Sequence, residues 1–192
     1  NYQIIMEYLD RELAGLLRRL AGGFPVLGLT GPRQSGKTTL AKVCFADKPY
    51  RSLEDPDQLD YALADAKGFL GQFSQGAVLD EVQRCPELLS YLQGFVDASS
   101  ITGQWVLTGS QQFGFRQQAS QTLAGRFALA TLLPFSMAEL GSRVADLNRL
   151  LFVGGYPPLY DREVSPGDWY ANYVQTYLER DIRSLSQVAD LV

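Results

Sequence analysis

Gly31-Pro-Arg-Gln-Ser-Gly-Lys-Thr38 fits the pattern GxxxxGK[ST], a loop whose successive backbone N–H groups converge on the phosphates of a nucleotide. Gly31 and Gly36 allow torsions that a side chain would obstruct. Lys37 supplies a compact positive charge for the β/γ oxygens. Thr38 offers a hydroxyl to Mg²⁺ and opens a helix whose N-terminal dipole also favours the anion. Pro32, Arg33, Gln34 and Ser35 complete the wrap and Thr39 follows it; Arg33 either contacts phosphate or points outward. The flanks agree with this reading. Phe24 to Thr30 reads as a short buried strand, and Thr38 to Phe45 carries Leu40, Ala41, Val43 and Cys44 at helical spacing.

Further along the chain, Tyr50 to Leu53 is a candidate second strand. Glu54-Asp-Pro-Asp57 then reads as a turn and helix start, and Leu59 to Leu70 as a helix. Ala77-Val-Leu-Asp-Glu81 is an apolar run ending in two acids. In an open parallel sheet the C-terminal ends of the strands face the phosphate site, so Asp80 is placed to hold Mg²⁺ opposite Thr38. Glu81 is placed to orient and polarise an attacking water. After a helix with Leu88, Leu89, Leu92 and Phe95 on one face, Gln104 to Ser110 is a strand with a polar tip. Ser110 is the favoured contact for the γ-phosphate or the water, with Thr108 read as a cap on the turn at Gly109. Gln111 to Ala124 has irregular helical character, and Phe127 to Leu133 reads as a last strand ended by Pro134.

The chain has 192 residues, 46% of them hydrophobic, enough for one α/β core with a helical appendage. Net charge is −4, which argues against a generally basic nucleic-acid surface. The balance is uneven: residues 1–52 hold eight Lys/Arg against four Asp/Glu, and residues 53–192 nine against seventeen. Arg11, Arg18 and Arg19 read as the solvated face of a first amphipathic helix, or else as a local basic patch. The absence of histidine removes His-based triads and HExxH zinc chemistry. Two cysteines without paired spacing suggest neither a zinc site nor a disulfide framework, so a cytoplasmic setting is expected. No apolar run approaches membrane-spanning length, and no membrane partner is expected. Beyond Pro134 the pattern turns helical: Ser136–Leu140, Val144–Phe152, a break at Gly154 to Pro158, then a stripe from Trp169 to Val188 without a stop signal. Arg180 and Arg183 on this stripe read as part of a surface ladder with Glu179 and Asp181. The missing initiator Met and the open last helix suggest a piece of a longer protein.

These pieces, in this order, resemble the ATPase core of the AAA-type (AAA+) superfamily. More narrowly, Leu29 to Leu40, Leu53-Glu-Asp-Pro-Asp57, Leu79-Asp-Glu-Val-Gln83, Leu107-Thr-Gly-Ser110, Leu123-Ala-Gly-Arg126 and Tyr177 to Ile182 resemble a family of prokaryotic ATPases. Its members join such a core to a C-terminal nuclease-like domain of unknown function (DUF4143-type). The resemblance implies a P-loop α/β three-layer sandwich with a mainly parallel sheet, in which the phosphate-loop strand lies next to the polar-tipped strand and the acid-tipped strand beyond it. It divides the chain into an N-terminal helix or linker (1–22), an ATPase core (23–135) and a helical lid leading to a further domain (136–192). It implies ATP and Mg²⁺ as cofactors, and it admits DNA as a partner, to which the acidic balance adds little. Arg126, just before the last core strand, would reach the γ-phosphate of a neighbouring copy in a homo-oligomer; a structural Arg paired with nearby acids is the alternative. Arg116 is a weaker candidate.

The expected activity is Mg-dependent ATP hydrolysis with Lys37, Glu81, Ser110 and Arg126 as the catalytic group. A small-molecule kinase, with Asp80 or Glu81 serving an acceptor hydroxyl, and a nucleotide-holding scaffold with little turnover are the alternatives. A guanine-specific switch is disfavoured because no NKxD motif occurs.

Overall fold

Successive side chains on a strand point to opposite faces, and four short apolar runs beside a more polar edge strand use that alternation to fill two cores at once. The computed structural model describes residues 8–110, 121–143 and 146–178. Its strands are β1 (Val26–Thr30), β2 (Tyr50–Ser52), β3 (Val78–Asp80), β4 (Trp105–Thr108) and β5 (Phe127–Thr131). They form one sheet of order β2-β3-β4-β1-β5, every neighbouring pair parallel. The expected neighbours are therefore present: the phosphate-loop strand beside the polar-tipped strand, the acid-tipped strand next.

Val26, Leu79, Trp105 and Leu107 face one side, where α3 (Pro56–Ala64), α4 (Ala66–Gly71) and α5 (Leu88–Asp97) cover them. Leu27, Leu29, Val78 and Val106 face the other side, packed by Leu17 of α1 (Leu13–Ala21) and by Leu40 and Ala41 of α2 (Lys37–Cys44). Cover on both faces explains why β1 is buried along its whole length and carries no polar alternation. Each fully buried leucine contributes roughly 1.5–3 kcal/mol. Gly28 is required by closeness of approach: a Cβ there would lie 2.3 Å from the Phe127 ring.

The helix expected over 59–70 is two helices. Asp65, at φ −147° and ψ 78°, ends α3 by donating its N–H to the Tyr61 carbonyl (2.9 Å). Its carboxylate then caps α4 by accepting from Gly68 N–H (2.8 Å). A run of helical spacing can hide such a break, because an Asp satisfies both ends without interrupting the apolar stripe.

The chain divides into two compact units, Asp10–Leu133 and Asn1–Leu9 with Pro134–Val192. The second holds short capped helices. In α6 (Met137–Leu140), Ser136 Oγ accepts from Glu139 N–H (3.1 Å) while Glu139 accepts from Ser136 N–H (2.8 Å). α7 (Leu147–Val153), α8 (Pro158–Asp161) and α9 (Pro166–Tyr173) follow, α9 continuing into a π-helical turn over Val174–Leu178. Trp169 stacks on Tyr173 at 4.9 Å and packs against Tyr156. The stripe expected from Trp169 thus begins earlier, at Pro166, and changes pitch after Tyr173. Residues 179–188 with Arg180 and Arg183, most of the segment 111–124 and Arg116 lie outside the described residues.

Candidate nucleotide site

All five strands run the same way, so the loop after β1, the acids after β3 and the polar tip of β4 gather along one edge of the sheet. In the loop, Gly31 (φ +152°) and Gly36 (φ +93°) hold backbone conformations that side chains rarely adopt. A Cβ on Gly31 would lie 2.1 Å from the Leu132 carbonyl oxygen. Gln34 is also left-handed, at φ +61°. Lys37 is buried, its Nζ donating to the carbonyls of Gly31 (3.1 Å) and Pro32 (2.9 Å). Burial pulls its ammonium below the usual lysine range, Glu81 and Asp80 push back, and Arg33 lowers it further. Ser35 is fully buried, and its Oγ has no hydrogen-bond partner among the described residues.

Asp80 is the hub. Only 4% exposed, its carboxylate receives three hydroxyls. Thr38 Oγ1 (2.9 Å) and the Tyr50 phenol (2.7 Å) donate to Oδ2, and Thr108 Oγ1 donates to Oδ1. Thr108 is therefore a partner of Asp80 and not the cap of the Gly109 turn. Burial first, and then the bond to Asp80, push the Tyr50 phenol well above its ordinary range, so it stays a donor. Thr38 and Asp80 give two hard oxygen donors, and the described residues contain no cluster of three or more metal-ligating side chains. That donor set fits Mg²⁺, which takes one or two protein oxygens and completes its shell with phosphate and water.

Glu81 departs from the strand end expected for it. β3 stops at Asp80, and Glu81 turns into the left-handed region (φ 58°, ψ 43°) to lead into a 3₁₀ turn over Val82–Arg84. A non-glycine there is uncommon and tends to mark functional sites. Gln83 Nε2 donates to Glu81 Oε2 and also to Ser110 Oγ (3.4 Å). Burial raises the Glu81 carboxyl above its ordinary value; Gln83 lowers it, Asp80 raises it and Lys37 lowers it.

Arg126 lies elsewhere. It precedes β5, and its carbonyl accepts from Val26 N–H (3.1 Å) at the start of β1. The loop begins after Thr30, at the other end of the strand, about 16 Å away at 3.3 Å per residue. Its side chain pairs with Asp97 (2.5 Å), both partners more than a third exposed. Arg11 also differs from expectation: it is 7% exposed and not on a solvated face. Its guanidinium donates to the Ser35 carbonyl (2.9 Å) and the Leu133 carbonyl (2.6 Å). Arg18 and Arg19, in the last turn of α1, are exposed. The roles of Tyr50, Gln83 and Arg11 carry no signal in the sequence, where Gln83 enters only within the family motif and Arg11 only as a helix-face charge, because their partners lie in other segments or beyond an unforeseen turn.

A glycine-pinned loop, an adjoining Lys-Thr pair and a buried acid across the edge of a parallel sheet define a P-loop nucleotide-binding fold. The chain belongs to the AAA-domain family AAA_14, whose family model matches residues 23–141. Residues 144–192 match a domain of unknown function, DUF8612, which is not the DUF4143-type domain of the resemblance. The uncharacterized proteins Mb2031c of Mycobacterium bovis and Rv2008c of Mycobacterium tuberculosis are each 35% identical over 178 residues, 91% of this chain. The chain spans 40% of the length of these curated relatives. The Walker-type ATPase PABY2304 of Pyrococcus abyssi shares the fold, with a TM-score of 0.58 at 16% identity, over 95% of this chain and 76% of that one. No described helix is long and apolar enough to cross a membrane.

Proposed function

We propose that the chain binds ATP with Mg²⁺ and hydrolyses it to ADP and phosphate, as the ATPase core of a longer protein. The observation that carries this reading is the Thr38–Asp80 contact of 2.9 Å beside buried Lys37 and next to Glu81. In the proposed cycle the backbone N–H groups of the loop from Arg33 to Thr39 hold the phosphates. Lys37 exchanges the Gly31 and Pro32 carbonyls for phosphate oxygens. Mg²⁺, held by Thr38 and Asp80, would neutralise charge on the β/γ oxygens. Glu81 orients the water that attacks the γ-phosphorus, Ser110 contacts the γ-phosphate, and Gln83 keeps Glu81 and Ser110 in register. Arg126, at the opposite edge of the sheet, acts only on the nucleotide of a second copy. The domain division at 22 and 135, a cytoplasmic setting, a DNA-related or regulatory output and a nuclease-like domain elsewhere in the longer protein rest on the family resemblance and remain part of this proposal.

Phosphate release from ATP by wild type and Glu81→Gln tests the reading. We expect turnover without an added acceptor, lost by about 10²–10³-fold in the variant with ATP affinity kept. Transfer that requires an acceptor hydroxyl would point to a kinase, and binding without turnover to a scaffold. An unchanged ATP affinity in Lys37→Ala would sink the phosphate-loop assignment itself.

A further inference from the structure

Three hydroxyls meet one buried carboxylate, and they are not equivalent. Thr38 belongs to the phosphate loop and is itself a ligand in the proposed site, so its hold on Asp80 changes with loading. Thr108 stands on β4 and holds the other oxygen, Oδ1. Tyr50 opens the edge strand β2 and shares Oδ2 with Thr38.

Register explains how Tyr50 gets there. Tyr50 pairs with Val78 and Ser52 with Asp80, so Tyr50 lies on the same face as Asp80 but two residues back, roughly 6.6 Å along the strand. A phenol is long enough to cover that offset; a Ser or Thr at this position would fall short. The ring packs against the core cluster of Leu27, Leu29 and Leu40, and Lys42 Nζ of α2 sits 3.7 Å from its centroid.

We infer that Tyr50 is a positioning residue for magnesium: it holds Asp80 Oδ2 in place while Thr38 changes partner from carboxylate to cation. This rests on the proposed ATPase reading of the site. A charge-assisted hydrogen bond from a rigid donor fixes a carboxylate that would otherwise rotate toward Thr108 alone. The consequence is specific to the metal, since the Tyr50 hydroxyl acts on Asp80 while its ring packs on Lys42 and the core.

The test is calorimetric titration of the full chain with β,γ-methylene ATP, in EDTA and then over a series of MgCl₂ concentrations. Tyr50→Phe keeps the ring and its packing. We expect its metal-free affinity to stay within about twofold of wild type while its magnesium-dependent gain falls by about tenfold. Lys42→Met, which removes the cation over the ring but nothing at Asp80, should keep the gain. In an Asp80→Asn background, where no buried charge is left short of a donor, Tyr50→Phe should cause no further loss; an additional loss there would overturn the inference even if the single variant folds poorly. Equal losses with and without magnesium, or none, would overturn it as well. A wild type that binds the analogue without any magnesium-dependent gain would overturn the metal assignment of Thr38 and Asp80, and this inference with it.

Discussion

Removing the Arg11 guanidinium should loosen the phosphate loop from behind. Arg11 is 7% exposed, and its guanidinium donates to backbone carbonyls of Ser35 in the loop and of Leu133 after β5. Each bond from a buried cation is worth roughly 1.5–3 kcal/mol net. Water reaching the freed carbonyls, and the lifted desolvation of the cation, offset part of that. For Arg11→Met, which keeps most of the apolar stem, a net loss of about 3 kcal/mol follows, or about 6–12 °C in melting temperature for a chain of this size. The Ser35 carbonyl loses its anchor in the same step, so ATP affinity should fall by about five- to tenfold. Arg11→Lys should recover little, because one ammonium does not reproduce a planar fork that spans two carbonyls. Thermal melts and ATP titrations of the three proteins check this. An Arg11→Met protein within about 0.5 kcal/mol of wild type, with unchanged ATP affinity, would refute the anchoring role.

The link between Glu81 and Ser110 makes Gln83→Leu informative: turnover should drop by about 10–100-fold with ATP affinity within about twofold, and adding Ser110→Ala should cost less than it does alone. Steady-state rates of the four-member cycle measure that coupling, and full additivity would remove Gln83 from the relay. At the far edge, Arg126→Ala should change stability by less than about 1 kcal/mol, since its Asp97 pair is a surface ion pair. If Arg126 serves a neighbouring copy, mixing Arg126→Ala with Lys37→Ala protein should yield more turnover than the two measured separately; a mixture equal to their sum would exclude that role.

What the sequence made legible were the main motifs set by short-range spacing, though not the helix break at Asp65 or the turn at Glu81. The loop, the strands flanking it, the Asp80-Glu81 ending and the strand with a polar tip all follow from residues within ten positions of one another, and parallel strand direction then brings their ends together. Strand order came from the family resemblance, and the sheet agrees with it. Side-chain partners across segments were not legible. Tyr50 reads as an ordinary strand residue until register sets it two positions behind Asp80. Arg11 reads as a helix-face charge until the end of β5 and the loop close over it.

The same distinction explains where Glu81 and Arg126 sit, the latter in the ion pair with Asp97 that was the alternative to a role at a neighbouring copy. Glu81 continues an apolar run, and nothing in that run signals a left-handed residue; the turn is imposed by the chain having to leave β3 for the 3₁₀ segment at Val82. Arg126 was placed by its neighbourhood in sequence, immediately before a core strand. In a parallel sheet the start of a strand and the end of its neighbour lie at opposite edges, so proximity to β5 in sequence is distance from the phosphate loop in space. Any contribution of Arg126 to the nucleotide is thus conditional on a second copy, whereas Lys37, Thr38, Asp80 and Glu81 need only the one sheet.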